Sequence, residues 1–253
     1  MSENSFSERV VPDNVPYNFW QEHINRYIFA LNYVSNRVVL DVACGTGYGT
    51  ELISKTAYLA IGLDVSRIAL TYASKHCRKN SHIDFVLADA NHLPFRSGTF
   101  EIVVSFETIE HLIHPQDFLQ QIKSVLEING QLIISTPNGK ISSPNRNKPT
   151  NPFHFREFDR QEFSNLMSIF SQRPQFYSQR PTFLALFPLI DRHIHYSLRM
   201  LYRKIAKSAS SRSPMQQLDA TKLDPSYRVK KTLELYPFYC PYYFIVIVKN
   251  EKC

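Results

Sequence analysis

The stretch VVLDVACGTGYG, residues 38–49, determines how the rest of this 253-residue chain is interpreted. A short β-branched run ends at Asp41, three glycines follow at alternate positions, and a helix-like segment begins near Thr50. Strand, glycine-rich turn and helix in this order bring backbone N–H groups close to a nucleotide-type ligand. Glycine suits such a turn because it adopts positive φ at no steric cost. The stretch therefore predicts a cofactor site at the end of the first strand of an α/β domain.

A second apolar run, residues 58–64, ends in Asp64, which lies 23 positions after Asp41. This separation is close to the roughly 20 residues that separate a dinucleotide fingerprint from its ribose-binding acid in a βαβ unit. A dinucleotide fingerprint also needs a small residue where this chain has Thr50. The pattern therefore disfavours an NAD-dependent reductase, which stays open as an alternative.

The pattern Asp-x-x-Cys-Gly-x-Gly-x-Gly at residues 41–49 resembles the first motif of the class I S-adenosylmethionine-dependent methyltransferases, with Ala43 in place of the first glycine. The resemblance covers about residues 17–182 and 240–250. It implies an α/β, Rossmann-like fold with a seven-stranded, mostly parallel sheet, an antiparallel strand seven and a helical insertion between strands six and seven. It also implies S-adenosyl-L-methionine as cofactor and S-adenosyl-L-homocysteine as product.

The resemblance assigns cofactor contacts to residues in a helix before the first strand and at the ends of the first four strands. These are Arg26, Asp41, Ala43, Cys44, Gly45, Gly47, Asp64, Val65, Asp89, Ala90 and Phe106. Arg26 belongs to an amphipathic helix predicted over 17–33, and its guanidinium suits the carboxylate of the methionine moiety. The alternative is a solvated arginine beside core aromatic residues. Asp89 is expected to accept from the exocyclic amine of the adenine.

Two loops that follow predicted strands carry the residues for chemistry. SFETIEHL, residues 105–112, contributes Glu107 and His111, and NPFHFREF, residues 151–158, contributes His154. Methyl transfer from a sulfonium is an in-line displacement that depends on alignment, and a hydroxyl acceptor also benefits from a base. His111, His154 and Glu107 are therefore the catalytic candidates. Glu107 and His111 would share a face if their segment is helical. Alternatively, these two side chains hydrogen-bond each other or the backbone and shape the pocket, and His154 only ties its loop to the following helix.

The chain divides into three predicted parts. Residues 1–36 form a leader and a cofactor-capping helix, 37–182 with 238–253 form the methyltransferase core, and 183–237 form a basic helical lid. Residues 192–231 hold ten Lys or Arg and two Asp, a charge of +8 against +7 for the whole chain. The basic character is therefore a property of the insertion.

The basic insertion leaves several partners open. It could recognise an anionic or phosphate-bearing small-molecule acceptor such as a sugar, or contact an anionic membrane surface to reach a lipid-linked or quinone-type acceptor. RNA is the least favoured partner because no RNA-binding signature is present. The insertion could also be a solvated lid whose charges only keep it soluble. Arg156 and Glu157 are further possible acceptor contacts.

The remaining sequence features set broad expectations. The four cysteines have no metal-ligand spacing, so a reducing, cytoplasmic setting and no metal site are expected. No secretory signal and no apolar run of membrane-spanning length are seen. The sequence thus favours an S-adenosylmethionine-dependent O-methyltransferase acting on a sugar-type or other small-molecule hydroxyl. A non-catalytic, cofactor-binding regulatory protein is the alternative from another class.

Overall fold

Strands and helices alternate through the part of the chain that the computed structural model describes, residues 15, 17–77, 81–143, 148–171, 173–179, 227–231 and 241–251. The helices are α1 (Tyr17–Val34), α2 (Tyr48–Ser54), α3 (Arg67–His76), α4 (Pro115–Val125), α5 (Gly139–Ser142) and α6 (Arg160–Met167). The strands are β1 (Val38–Val42), β2 (Leu59–Asp64), β3 (Ile83–Leu87), β4 (Phe100–Phe106), β5 (Leu126–Pro137), β6 (Gln175–Gln179), β7 (Lys230–Lys231) and β8 (Tyr243–Lys249).

The strands form one sheet in the order β3-β2-β1-β4-β5-β8-β6-β7. Strands β1 to β5 pair in parallel, whereas β8 pairs antiparallel with both β5 and β6. The predicted α/β, Rossmann-like sheet with its antiparallel strand is therefore confirmed. Since β1 to β5 are parallel, their carboxyl ends meet at one edge, and the strand order reverses between β1 and β4, where ligands bind in such sheets. We call this the ligand edge.

The sheet has eight strands in the described residues, so the predicted number of seven was wrong. The additional strand, β7, pairs antiparallel with β6 through Tyr177↔Lys231 and Ser178↔Lys230. It falls within the stretch 183–237 that the sequence predicted to be a helical lid. Two exposed lysines at a sheet edge hinder further strand pairing. Of that insertion, only residues 227–231 are among the described residues, so the part predicted to be a basic helical lid lies otherwise outside them.

Two apolar cores lie on opposite faces of the sheet because successive strand side chains point in opposite directions. Val39 and Ile102 face α1 and α2, whose buried residues include Trp20 and Ile24. The other face belongs to a second core, which α4 and α6 cover. Its members on the strands and helices include Leu40, Val103, Phe118, Ile122 and Phe163. None of the described helices has the length and hydropathy to cross a bilayer.

Two helices in this half of the sheet end or begin in different ways. An Asn-Gly pair is typical of a helix C-terminus, but Asn129-Gly130 does not end α4, because α4 ends at Val125 and β5 already begins at Leu126. Asn129 has φ +65°, and the pairing with β4 shifts register nearby, so the dipeptide forms an irregularity within the strand. Asp159 is the N-cap of α6 and forms a complete capping box with Glu162.

Candidate functional site

The glycine loop after β1 is held against the end of β2 by one carboxylate. Asp64 accepts the backbone N–H of Gly45 at 2.9 Å through Oδ2 and that of Ser66 at 2.7 Å through Oδ1. The Cys44 N–H donates to the carbonyl of Leu63 at 3.0 Å. Asp64 is buried, and each carboxylate oxygen can accept more than one hydrogen bond. The predicted spacing of Asp41 and Asp64 thus places an acid beside the glycine loop.

Three residues of the loop have left-handed backbone conformation, but the space around their Cα atoms differs. Ala43, Gly45 and Gly47 have φ of +61°, +57° and +80°. A Cβ at Gly45 would meet nothing within 4 Å, whereas one at Gly47 would lie 2.7 Å from Cβ of Ala73 and 2.8 Å from the ring of Phe85. Gly47 is therefore required by packing. Gly45 faces open space, and its backbone is accessible to a ligand.

Asp41, the first acid of the motif, points into the protein. Thr50 donates to Oδ2 at 2.6 Å and the Tyr27 hydroxyl donates to Oδ1 at 3.2 Å. Burial, with a smaller contribution from the nearby Asp64, raises the pKa of Asp41 to about 7, although the hydrogen bonds from Thr50 and Tyr27 lower it. Thr50, which the dinucleotide pattern would not have, thus serves to hold the first acid of the loop.

Helix α1 covers the glycine loop through aromatic side chains. A Cβ at Gly49 would lie 2.0 Å from the Tyr27 ring, so this glycine lets α1 and α2 approach closely. Phe106, at the end of β4, makes an edge-to-face contact with Tyr27 at 5.0 Å between ring centroids. The predicted capping helix therefore lies over the loop, and predicted residues from β1 and β4 meet beneath it.

Arg26 on the same helix is fully buried with its hydrogen-bonding capacity mostly unused. Its Nη1 donates to Oε1 of Gln179 at 2.8 Å, and its Cζ lies 4.7 Å from the centroid of the Tyr243 ring. Its Nε and Nη2 have no hydrogen-bond partner among the described residues. A buried guanidinium with orphaned donors is costly unless an acceptor is supplied. The solvated alternative for Arg26 is therefore excluded.

The charge of Arg26 is retained because acidic groups surround it. Burial lowers the pKa of the guanidinium, but Glu107, Tyr243 and Glu22 outweigh this, so the net pKa lies above its ordinary value. Gln179, which sequence reasoning missed, also donates to the carbonyls of Glu22 at 3.0 Å and Tyr227 at 2.6 Å. It thereby joins α1, β6 and the described part of the insertion. Because the partners of Gln179 are distant in sequence, no local motif could have identified this role.

The β2 and β3 ends of the ligand edge expose apolar side chains. Val65, Ile68 and Leu87 lie at or just after the ends of β2 and β3, and their side chains are exposed. Asp89 accepts the Asn91 N–H at 2.8 Å and is itself exposed. Ala90 follows it and is partly buried. These residues offer an apolar surface with a carboxylate at its rim, and the cofactor contacts expected at Val65, Asp89 and Ala90 stay a prediction.

At the end of β4, Glu107 leaves the strand rather than starting a helix. It has φ +54°, and its Oε1 accepts from the Ser135 hydroxyl at 2.7 Å. The helical turn that follows is a 3-10 turn limited to Ile109–His111. Glu107 and His111 are therefore not a helical i,i+4 pair, and Glu107 lies instead against β5.

Glu110 is the buried acid of this turn, and it was not among the catalytic candidates from the sequence. It is fully buried; its Oε2 accepts from Thr136 at 3.1 Å, and its Oε1 has no partner among the described residues. Burial raises its pKa well above the ordinary value, and the charge of Glu107 raises it further. The spacing Glu-x-x-Glu-His was a signal for this residue, but the burial of Glu110 depends on β5 and on the loop 148–159.

His111 and His154 meet from different loops. Their ring centroids are 4.7 Å apart with the planes nearly perpendicular. The Nδ1 of His111 lies 3.1 Å from the carbonyl of Phe153, which can only accept, so this nitrogen carries the proton. The Nδ1 of His154 lies 2.6 Å from Oε1 of Glu157, and its Nε2 lies 2.9 Å from the Asn151 amide nitrogen. Both predicted histidines thus belong to one cluster.

Glu157 orients His154 as an ionised partner. Burial raises the pKa of Glu157, but hydrogen bonds from His154, Ser142 and Ser143 outweigh it, so the net pKa lies below the ordinary value. A carboxylate at Nδ1 fixes the tautomer of the ring and directs the Nε2 lone pair away from it. The structure therefore gives the residue that the sequence named as an acceptor contact a positioning role within the protein.

One oxygen of Glu110 and one nitrogen each of His111 and His154 lie within 4.8 Å of one another. The sequence showed no metal-ligand cluster because these residues come from two loops separated by β5. We call these three residues the histidine cluster, and residues 41–66 the glycine-loop end of the ligand edge.

Comparisons with known proteins agree with this geometry. Residues 40–134 match the methyltransferase domain family model. A probable S-adenosylmethionine-dependent methyltransferase of Mycobacterium tuberculosis is 33% identical over 161 residues, covering 63% of this chain and 58% of that protein. A ubiquinone biosynthesis O-methyltransferase of Bradyrhizobium diazoefficiens is 32% identical over 115 residues, 45% of each chain. The chain thus matches less than two thirds of these relatives' length.

The fold also has solved counterparts. The crystal structure of the YcgJ protein from Bacillus subtilis superposes with a TM-score of 0.60 at 15% identity, covering 91% of this chain and all of that one. At this identity the similarity concerns the fold alone. It agrees with a Rossmann-like sheet that carries an antiparallel strand near one edge.

Proposed function

Because this chain belongs to the class I S-adenosylmethionine-dependent methyltransferase family, we propose that it transfers a methyl group from that cofactor to a hydroxyl oxygen of a small molecule. S-adenosyl-L-methionine supplies an electrophilic methyl group and becomes S-adenosyl-L-homocysteine. The observation that carries the proposal is the buried Arg26, whose Nε and Nη2 lack partners among the described residues. A carboxylate such as that of the methionine moiety satisfies both donors in one bidentate contact.

The glycine-loop end fits the rest of the cofactor. The backbone at Gly45 borders open space, which supports close approach of the ligand. A carboxylate at the position of Asp64, beside the glycine loop, can accept hydrogen bonds from ribose hydroxyls. The exposed Val65 and Leu87 offer an apolar surface for the adenine, with Asp89 at its rim for the exocyclic amine. Each of these assignments is a proposal that a single substitution tests.

The histidine cluster supports the reaction on the acceptor. In the transfer, the oxygen–carbon bond forms as the carbon–sulfur bond breaks, so the oxygen must be held in line and must lose its proton. His111 and His154 are proposed to activate that oxygen, with Glu157 positioning His154 at 2.6 Å. Glu107 is proposed to contribute through its charge. This charge acts on Arg26, and the Glu107 carboxylate accepts a hydrogen bond from the Ser135 hydroxyl.

The acceptor class is proposed on two grounds. The basic segment 192–231 favours an anionic or sugar-type acceptor, as its charge of +8 would attract phosphate or carboxylate groups. The exposed side chains of Ile113, Phe153 and Phe155 beside the histidine cluster favour a second candidate, a quinone-type or lipid-linked acceptor. The ubiquinone pathway relative is consistent with that second candidate.

Calorimetric titration with S-adenosylmethionine, S-adenosylhomocysteine and NADH tests the cofactor. We expect the first two to bind and NADH not to bind. Turnover is then measured as S-adenosylhomocysteine formed with sugar phosphates and with hydroxylated quinones in parallel. Tight binding of NADH alone would contradict the family assignment of the site, and cofactor binding without turnover of any acceptor would favour the regulatory alternative.

A further inference from the structure

We propose that Glu110, His111 and His154 form a binding site for one divalent transition-metal ion of the zinc or manganese type. The three ligand atoms lie within 4.8 Å of one another. Two imidazoles and one carboxylate on one side of an ion are a common ligand set for such metals, and they leave further coordination positions open.

The unsatisfied oxygen of Glu110 points to a missing partner. The side chain is fully buried, yet Oε1 has no hydrogen-bond donor among the described residues, while Oε2 is held by Thr136 at 3.1 Å. A buried carboxylate is costly without a compensating charge. Glu107 and Glu157 lie near enough to act on its charge, so added positive charge at this place would relieve their repulsion.

Both histidines are oriented as metal-ligating histidines usually are. A metal-bound imidazole typically donates its other N–H to a carbonyl or carboxylate, which fixes the tautomer and the ring. His111 donates from Nδ1 to the Phe153 carbonyl at 3.1 Å, and His154 from Nδ1 to Glu157 at 2.6 Å. The Asn151 amide lies 2.9 Å from Nε2 of His154, which shows where that lone pair points and which group an ion would displace.

The geometry requires only a small contraction. Ligand atoms bonded to zinc at about 2.0 to 2.2 Å lie roughly 3 to 3.5 Å apart in tetrahedral or octahedral arrangements. His111 is only partly buried, so its ring has room to tilt toward Glu110 while Nδ1 keeps its hydrogen bond to the Phe153 carbonyl. The open positions of the ion would face the acceptor. With the ion bound, the two histidines would activate the acceptor oxygen as ligands of the ion rather than as proton acceptors, and this role, unlike the binding itself, rests on the proposed function.

The test uses the full chain after dialysis against a chelator and without S-adenosylmethionine. Titration with Co²⁺ is followed by visible absorption, and Zn²⁺, Mn²⁺ and Mg²⁺ are titrated by calorimetry. We expect one equivalent of Co²⁺ to bind with the absorption bands of nitrogen ligation. His111→Ala, His154→Ala and Glu110→Gln should each weaken binding about 100-fold or more, and Glu157→Gln about 10- to 100-fold.

His114→Ala is the matched control because it removes an exposed histidine three positions from His111. It should bind Co²⁺ like the unmodified chain. If Glu110→Gln does not fold, His111→Ala still decides the question, since His111 is only partly buried. Retention of full affinity in His111→Ala and His154→Ala, or binding of Mg²⁺ without Co²⁺ or Zn²⁺, would overturn the site. Either result would leave the titration with S-adenosylmethionine, and hence the proposed function, untouched.

Discussion

At the glycine-loop end of the ligand edge, main-chain groups and close packing form the site, whereas at the histidine cluster side chains form it. Asp64 fixes the loop through the N–H groups of Gly45 and Ser66. The histidine cluster instead draws Glu110 and His111 from one loop and His154 from another, 43 positions further on.

This difference shows how one fold can keep a cofactor while its acceptor varies. Backbone geometry tolerates many side chains, so a glycine loop retains its function as surrounding sequence changes. A cluster of side chains from separate loops can be rebuilt without disturbing the sheet. We therefore expect substitutions at the two ends to separate into effects on cofactor affinity and effects on turnover.

The largest expected effect is at the histidine cluster. His154→Ala should lower kcat about 10²- to 10⁴-fold, because it removes a group that activates the acceptor oxygen. The Kd for S-adenosylmethionine should stay unchanged, as calorimetry can check. His114→Ala, an exposed histidine outside the cluster, is the control for turnover. A parallel loss of cofactor affinity in His154→Ala would show that the two ends are not separable.

Arg26→Met should have the opposite profile. It should weaken S-adenosylmethionine binding about 10²- to 10⁴-fold, because two charge-assisted hydrogen bonds of about 1.5 to 3 kcal/mol each are lost. Calorimetry measures the change, with Arg37→Met as control since Arg37 is exposed and pairs with Glu101. Equal affinity in Arg26→Met and the unmodified chain would remove Arg26 from the cofactor site.

Two alanine substitutions in the glycine loop separate packing from ligand approach. Gly47→Ala should destabilise the fold by about 2 to 4 kcal/mol through contacts with Ala73 and Phe85 and through left-handed strain. The Cβ of Gly45→Ala would lie in open space, so backbone strain alone should destabilise the fold, by only about 1 kcal/mol.

Urea unfolding and calorimetry distinguish these two variants. Gly45→Ala should still lose cofactor affinity about tenfold or more, because its Cβ points into the space that a ligand would occupy. If Gly45→Ala binds S-adenosylmethionine normally, the ligand does not approach the loop at this residue.

The last prediction concerns the pH dependence that Asp41 produces. Its pKa of about 7 exceeds the ordinary value, so the native state binds more protons than the unfolded state between about pH 4 and 7. This stabilising contribution is complete below about pH 4 and is lost as pH rises through 7. Asp41→Asn should remove this fall in stability, which amounts to up to about 4 kcal/mol, as urea unfolding over this pH range measures.

Asp84→Asn, which changes an exposed carboxylate, should leave that pH profile as it is. The same slope in Asp41→Asn as in the unmodified chain would mean that Asp41 is ionised in the folded protein throughout the window. The strong hydrogen bond from Thr50 would then dominate over burial.

The sequence by itself determined the parts of the molecule that depend on local pattern. The run before Asp41, the alternate glycines and the apolar run ending at Asp64 predicted β1, the loop and β2, because strand and turn preferences act over a few residues. The helix predicted before β1 followed for the same reason. The number of strands did not, since β7 is two residues long and exists only by pairing with β6.

Tertiary structure alone decided which polar groups are buried next to one another. Arg26 could be read from the sequence as solvated, but its contact with Gln179 joins positions 153 residues apart. Glu110 became a buried acid beside two histidines because the loop 148–159 folds back over the 3-10 turn, where the Phe155 N–H donates to the Glu110 carbonyl at 2.9 Å. Burial and charge depend on every neighbour in space, and a linear pattern records only the neighbours in the chain.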